Sequence, residues 1–296
     1  MLLNNRKEII MSNKIIITAD STCDLNEELI ARYNVKTIPL HITLGEKTYD
    51  DWVTIKPDDI YEHFYKTKEL PKTAANSVGE YTDLFSKFVD DGYEVIHFSL
   101  GSSLSVTHRS SVLAAQEFDG KVVSIDTCNL STGSGLLIIK AAELIEQGKS
   151  LNEIADEINA LVPKSHASFV IDKLDFLQAG GRCSAVEAFG ANLLGLKPCI
   201  EVSTEENGKM NAGKKYRGKF EKVCLDYLND IVTKYGEVDT SRAFVTHSGC
   251  DEALVETVRK ALEEKNIFDE IFVTRASCTI SSHCGPTTLG VLFMTK

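Results

Sequence analysis

The chain has 296 residues, the length of one large domain or two ordinary ones, and its 43% hydrophobic and 25% charged residues are the proportions of a soluble globular protein with a core. A formal net charge of −11 argues against sequence-independent nucleic-acid binding and against general adhesion to anionic membranes, since both need a basic surface. Eight cysteines without a CxxC pair, in a chain this long and this well supplied with apolar residues, read as scattered reduced thiols of a cytoplasmic protein and not as a disulfide framework.

The opening "MLLNNRKEIIMSNK" has a basic element but no continuous apolar segment. Residues 1–13 therefore read as a tail and not a signal peptide, with Met11 as a second candidate start. "KIIIT" (14–18) predicts a buried strand. It meets the polar turn Asp20-Ser21-Thr22, and a helix follows. "VKTIPLHITL" (35–44) reads as one strand region, and a helix begins near Pro57. In 78–89, Val78, Tyr81, Leu84, Phe85, Phe88 and Val89 fall on one helical face. "YEVIHFSL" (93–100) is a strand that ends in the hydroxyl-rich loop "GSSLSVT" (101–107), with a helix behind it. "KVVSID" (121–126) is a strand followed by helices over 131–148 and 150–162.

A boundary is expected near "PKSHA" (163–167). Beyond it come strands at 168–171 and 196–202, helical sequence over 172–195 around Gly180-Gly181, and a hairpin turn at 205–210. A helix at 219–235, a strand at 242–248, a helix at 251–265 and strands at 270–276 and 288–294 complete the pattern. The fold class is α/β. Two α/β domains, 14–163 and 164–296, are expected, the first with a mostly parallel sheet covered on both faces.

Several segments carry candidate chemistry. Asp20-Ser21-Thr22 and the Gly101–Ser105 loop both follow strands, where parallel sheets place ligands. Each also suits ordinary helix capping. Three serines and a glycine in five residues exceed what capping requires, so the second loop points to an anion or carboxylate, helped by free N–H groups at the following helix start. The serine-hydrolase elbow GxSxG is not met, because 101–105 reads GSSLS. "STGSG" (131–135) falls short of a dinucleotide loop, since Ile138 stands where the third glycine belongs. His283 sits in the hydroxyl-rich loop "TISSHCGPTTLG" (279–290). Zinc is disfavoured there because Cys278, His283 and Cys284 find no fourth ligand. The cluster Lys209, Lys214, Lys215, Arg217, Lys219 and Lys222 reads either as a solvated hairpin or as a docking patch for an acidic partner or lipid headgroups.

Five segments in order resemble the DegV family of bacterial fatty-acid-binding proteins: "DSTCDL" (20–25), "LPKTAANS" (70–77), "GSSLSVT" (101–107), "LQAGGRCS" (177–184) and "SHCGPTTLG" (282–290). The resemblance covers nearly all of 14–294. Ala74, Gly101, Val106 and Thr287 depart from the family pattern and would reshape a pocket mouth. The resemblance implies the EDD fold, with a Rossmann-like first sheet and a lipid tunnel between the two domains. It also implies a fatty-acid carboxylate held by Thr73 and Ser102 with His283 close by, and support from Ser21, Ser103, Ser105 and Arg182. The protein would be the non-catalytic, cytoplasmic lipid-binding subunit of a fatty acid kinase. It would use no cofactor and present its acid to a separate kinase subunit, with His283 assisting the partner's reaction. Lys215 and Arg217 would dock that partner, with a transient contact to a membrane surface and none to nucleic acid. A lipid-acting serine hydrolase and a lipid-plugged regulatory or scaffold protein are the alternatives. Burying ~14 methylenes at ~0.8 kcal/mol each supplies ~11 kcal/mol gross, so the tail would provide affinity and the hydroxyls would replace water around the carboxylate.

Overall fold

The computed structural model describes residues 14–182 and 195–296. Four parallel strands form the first sheet, in the order Val35–Ile38, Lys14–Asp20, Tyr93–Ser99, Val122–Asp126. The two central strands are near-continuous apolar runs because both of their faces are covered. Ala19 pairs with Phe98, so the turns that leave these strands emerge side by side. There the Asp20 carboxylate accepts the Leu100 N–H at 2.9 Å and the Tyr81 hydroxyl at 2.5 Å.

The expected single strand over 35–44 is two strands in different sheets. Val35–Ile38 belongs to the parallel sheet, and His41–Leu44 is the centre of a small antiparallel sheet with Lys47–Asp50 and Lys72–Ala74. Pro39 stands at the break; it has no N–H to continue a ladder. The second large sheet is mixed, in the order Lys209–Arg217, Leu196–Ser203, Ser168–Ile171, Thr288–Thr295, Val238–Ser248, Glu270–Arg275. Helices Phe220–Lys234 and Glu252–Glu263 pack on it around Tyr227, Val258 and Leu262.

Helix Thr132–Glu146 is apolar almost all round and buried along most of its length, as such a helix must be. It lies against Lys14–Asp20 of the first sheet and Thr288–Thr295 of the second. One hydrophobic cluster therefore joins Ile17, Ile96, Leu137 and Ile139 to Phe244 and Leu292. Among the described residues no helix is long and apolar enough to cross a membrane.

Because both sheets share this helix, the chain is expected to unfold in urea as one unit. Leu137 is fully buried, and Leu137→Ala should cost about 2–5 kcal/mol. Fluorescence of Trp52, the chain's single tryptophan, and far-UV circular dichroism should report the same transition. Two separate transitions would contradict the shared core.

Candidate functional site

A cavity of about 310 Å³ opens where the turn after Tyr93–Ser99 faces the strand Lys72–Ala74 and the helix Cys278–Cys284. Its interior is apolar, with Leu40, Leu100, Leu130, Met210, Ile280 and Cys284 in its walls. Thr73, Ser102, Ser103, Ser105, Arg182 and His283 line it as well. A separate small pocket of about 30 Å³ shares Leu130, Ile280 and Cys284 with the cavity and is also bounded by Phe169, Leu292 and hydroxyls such as Ser168 and Thr246.

His283 is not in a loop. It occupies the last turn of helix Cys278–Cys284, and the apparent loop is a helix because buried Asp51 and the Ser277 side chain cap its first turn. Thr73 is on the strand Lys72–Ala74. Its Oγ1 lies 2.9 Å from His283 Nε2. The other ring nitrogen, Nδ1, is buried without a hydrogen-bond partner. It packs so closely on Gly180 that a Cβ there would lie 2.4 Å away, which explains a glycine at this point of the Gly180-Gly181 pair. Burial, reinforced by the nearby Arg182 charge, pushes the His283 pKa down to about 4, so the ring is neutral at physiological pH. The hydrogen-bond network assigns the proton to Nε2, since the other tautomer would bury an N–H without an acceptor. Nε2–H then donates to Thr73, and the Thr73 hydroxyl keeps its own proton for an acceptor in the cavity.

The hydroxyl loop differs from its expected form. The following helix, Thr107–Ala115, starts five residues after Ser102, and most loop amides are already bonded. Ser102 N donates to Asp126 Oδ1 at 3.2 Å, Ser103 N to Asn207 O at 3.1 Å, Leu104 N to Gly101 O at 2.9 Å and Thr107 N to Ser105 Oγ at 3.3 Å. The side-chain hydroxyls, and not a row of free amides, are what this loop offers. Ser102 and Ser103 are exposed at the mouth, while Thr73 is half-buried. A glycine at 101 has a local reason: a Cβ there would lie 2.8 Å from Asn207 O.

Other expected residues lie elsewhere. Ser21 does not line this cavity; its hydroxyl donates to Asp51 at 2.9 Å and accepts the Leu40 N–H. It borders a second cavity of about 350 Å³, walled in part by Glu27, Trp52, Lys56 and Arg275. Lys215 and Arg217 are exposed on the edge strand Lys209–Arg217, outside both cavities. Around them Lys209, Lys214 and Lys222 are ion-paired with Glu206, Asp230 and Asp226, so much of the patch's charge is balanced locally. Arg182 is exposed at the rim, its guanidinium bonded to Gly180 O. Among the described residues no group of three or more His, Cys, Asp or Glu could hold a metal ion. Sequence reasoning missed the apolar wall, particularly Leu40 and Met210, which come from distant segments and carry no local motif.

A profile of the DegV family, described as uncharacterised proteins, matches residues 14–296. A DegV domain-containing protein of Clostridium acetobutylicum is 32% identical over 286 residues, which are 96% of this chain and 99% of the relative. The solved structure of a DegV family protein from Thermus thermophilus, reported for its fatty acid binding, is 30% identical with a TM-score of 0.88, covering 96% of this chain and 100% of that one. A stearic-acid-binding protein from Eubacterium ventriosum is 26% identical with a TM-score of 0.80, covering 95% and 98%.

The His283 ring should titrate near pH 4 in a Cε1–H nuclear magnetic resonance experiment. The unfolded chain binds this proton more readily, so the ring's contribution to stability is present above pH 6.5 and is lost as pH falls toward 4. A midpoint at the ordinary value would contradict the burial.

Proposed function

Because the chain belongs to the DegV family, we propose that it binds a long-chain fatty acid in the 310 Å³ cavity. The carboxylate rests at the mouth against Thr73 and Ser102, with Ser103, Ser105 and Arg182 around it. The acyl chain runs inward past Leu130 and Ile280. The observation that carries this reading is the Thr73–His283 hydrogen bond at the hydroxyl-rich entrance of a cavity whose inner wall is mainly apolar. Hydroxyl donors replace water around a carboxylate, and the tail's burial supplies most of the affinity. The relatives from Thermus thermophilus and Eubacterium ventriosum, which bind fatty acids, support the ligand class.

In this reading the protein is a cytoplasmic carrier that presents the acid to a separate kinase and has no catalytic activity of its own. A carboxylate oxygen attacks the terminal phosphorus of ATP on the partner, giving acyl phosphate and ADP. The exposure of Ser102 and Ser103 supports this, because the head group lies where a second protein can reach it. His283 assists by orienting Thr73, and Lys215 and Arg217 dock the partner. A hydrolase has less support: the cavity's histidine is bonded to Thr73, and the Ser99 hydroxyl, not Ser102, is bonded to His108.

Denaturing extraction of the bacterially expressed protein should release a C14–C18 acid in stoichiometric amount, read by mass spectrometry. Failure of delipidated protein to rebind any such acid would refute the proposal. Thr73→Val should cost about 1–3 kcal/mol of affinity by calorimetry, and the more exposed Ser102→Ala less. His283→Ala should retain more lipid than Thr73→Val but impair acyl phosphate formation with kinase and ATP. Reversing Lys215 and Arg217 to glutamate should weaken kinase binding and leave lipid affinity unchanged. Unaltered kinase affinity would return the strand to a solvated surface.

A further inference from the structure

Asp51 directly follows the strand Lys47–Asp50 and is 1% exposed, although its neighbours Trp52 and Val53 are exposed. Its carboxylate accepts four hydrogen bonds. Cys278 N donates to Oδ1 at 2.7 Å. Thr279 N at 3.1 Å, Thr279 Oγ1 at 2.7 Å and Ser21 Oγ at 2.9 Å donate to Oδ2. Three of the four come from the first turn of helix Cys278–Cys284, whose free N–H groups and positive end favour a carboxylate.

The same small sheet grips this helix again at its far end. Strand Lys72–Ala74 pairs with His41–Leu44, which pairs with Lys47–Asp50, and it carries Thr73 to His283 Nε2. Thr279 and His283 are four residues apart, one turn along the helix, and both line the cavity. The small sheet and the residue that follows its edge strand thus hold the helix at two points, Asp51 at the start and Thr73 at the end. With Nδ1 hard against Gly180, the ring has little room to follow a helix that rotates or slides.

We propose that Asp51 is a positioning residue for the head-group site: by fixing the first turn of helix Cys278–Cys284 it holds His283 Nε2 on Thr73 and so directs the Thr73 hydroxyl proton into the cavity. The ligand in this statement rests on the fatty-acid reading; the geometry does not.

The test is a double-mutant cycle between Asp51→Asn and His283→Ala, read by calorimetry with palmitate. Ring ¹⁵N shifts of His283 are recorded in parallel on ligand-free protein. Asp51→Asn should lower palmitate affinity about tenfold, and should cost no more than about twofold once His283 is alanine, because coupled residues are not additive. The ¹⁵N spectrum should change from one fixed Nε2–H tautomer to a mixture. Thr279→Val, which removes one of the four bonds, should shift the spectrum in the same direction, and Thr279→Ser should restore it; this pair decides the matter if Asp51→Asn does not fold. Unchanged ring shifts in Asp51→Asn, or the full loss of affinity repeated in the His283→Ala background, would overturn the proposal. If wild-type protein binds no palmitate, the fatty-acid reading fails while the ¹⁵N arm still decides the role of Asp51.

Discussion

Every backbone N–H taken out of water needs an acceptor, and around the 310 Å³ cavity buried or half-buried aspartates supply several of them. Asp20 receives Leu100 N, and Asp126 receives both Ser102 N and Cys128 N. Asp24 receives Ser277 N, and Asp51 receives Cys278 N and Thr279 N. All but the local Asp126–Cys128 bond tie a turn or helix start to a segment distant in sequence. The loops are therefore held by carboxylates that never face the cavity, and the hydroxyls of Thr73, Ser102 and Ser103 are left for other use. Asp24 shows what this costs: burial pushes its carboxyl up to about 7, against which the bonds from Ser131 and Ser277 work only partly.

The same arrangement sets the electrostatics of the cavity. Its interior is apolar, its histidine is neutral, and its charged residue, Arg182, stays exposed at the rim. In the proposed complex the tail supplies most of the affinity, and hydroxyls, with Arg182 at the rim, orient the head group. The second cavity contrasts with it, since Glu27, Lys56 and Arg275 stand in its wall and make it a poor home for an acyl chain.

Much of this was legible in the sequence. Continuous apolar runs such as 14–18 and 93–100 read as buried parallel strands, and the hydroxyl-rich segment after the second marked the cavity mouth. What failed to show were relations between distant segments. The helix Cys278–Cys284 looked like a loop because hydroxyl residues prefer caps and turns, and besides the adjacent Ser277 cap its first turn depends on the Asp51 carboxylate, 227 residues away in sequence for Cys278. Ser21 resembled a ligand group because its partner, Asp51, has no sequence motif of its own. Pro39 was a visible sign that 35–44 divides, but one proline does not say that the two strands enter different sheets. The local pairing within the basic run at 209–222 did not show because Asp226 and Asp230, which pair with Lys222 and Lys214, come from the helix Phe220–Lys234.

The central claim is that the carboxylate sits at the Thr73 end of the smaller cavity with the tail beneath it. A crystal structure of the chain with palmitate tests this most directly. The account predicts a carboxylate oxygen ~2.7 Å from Thr73 Oγ1, with the acyl chain passing Leu130 and Ile280 toward Phe169. Palmitate lodged instead in the cavity beside Trp52, or lying with its carboxylate innermost, would contradict it.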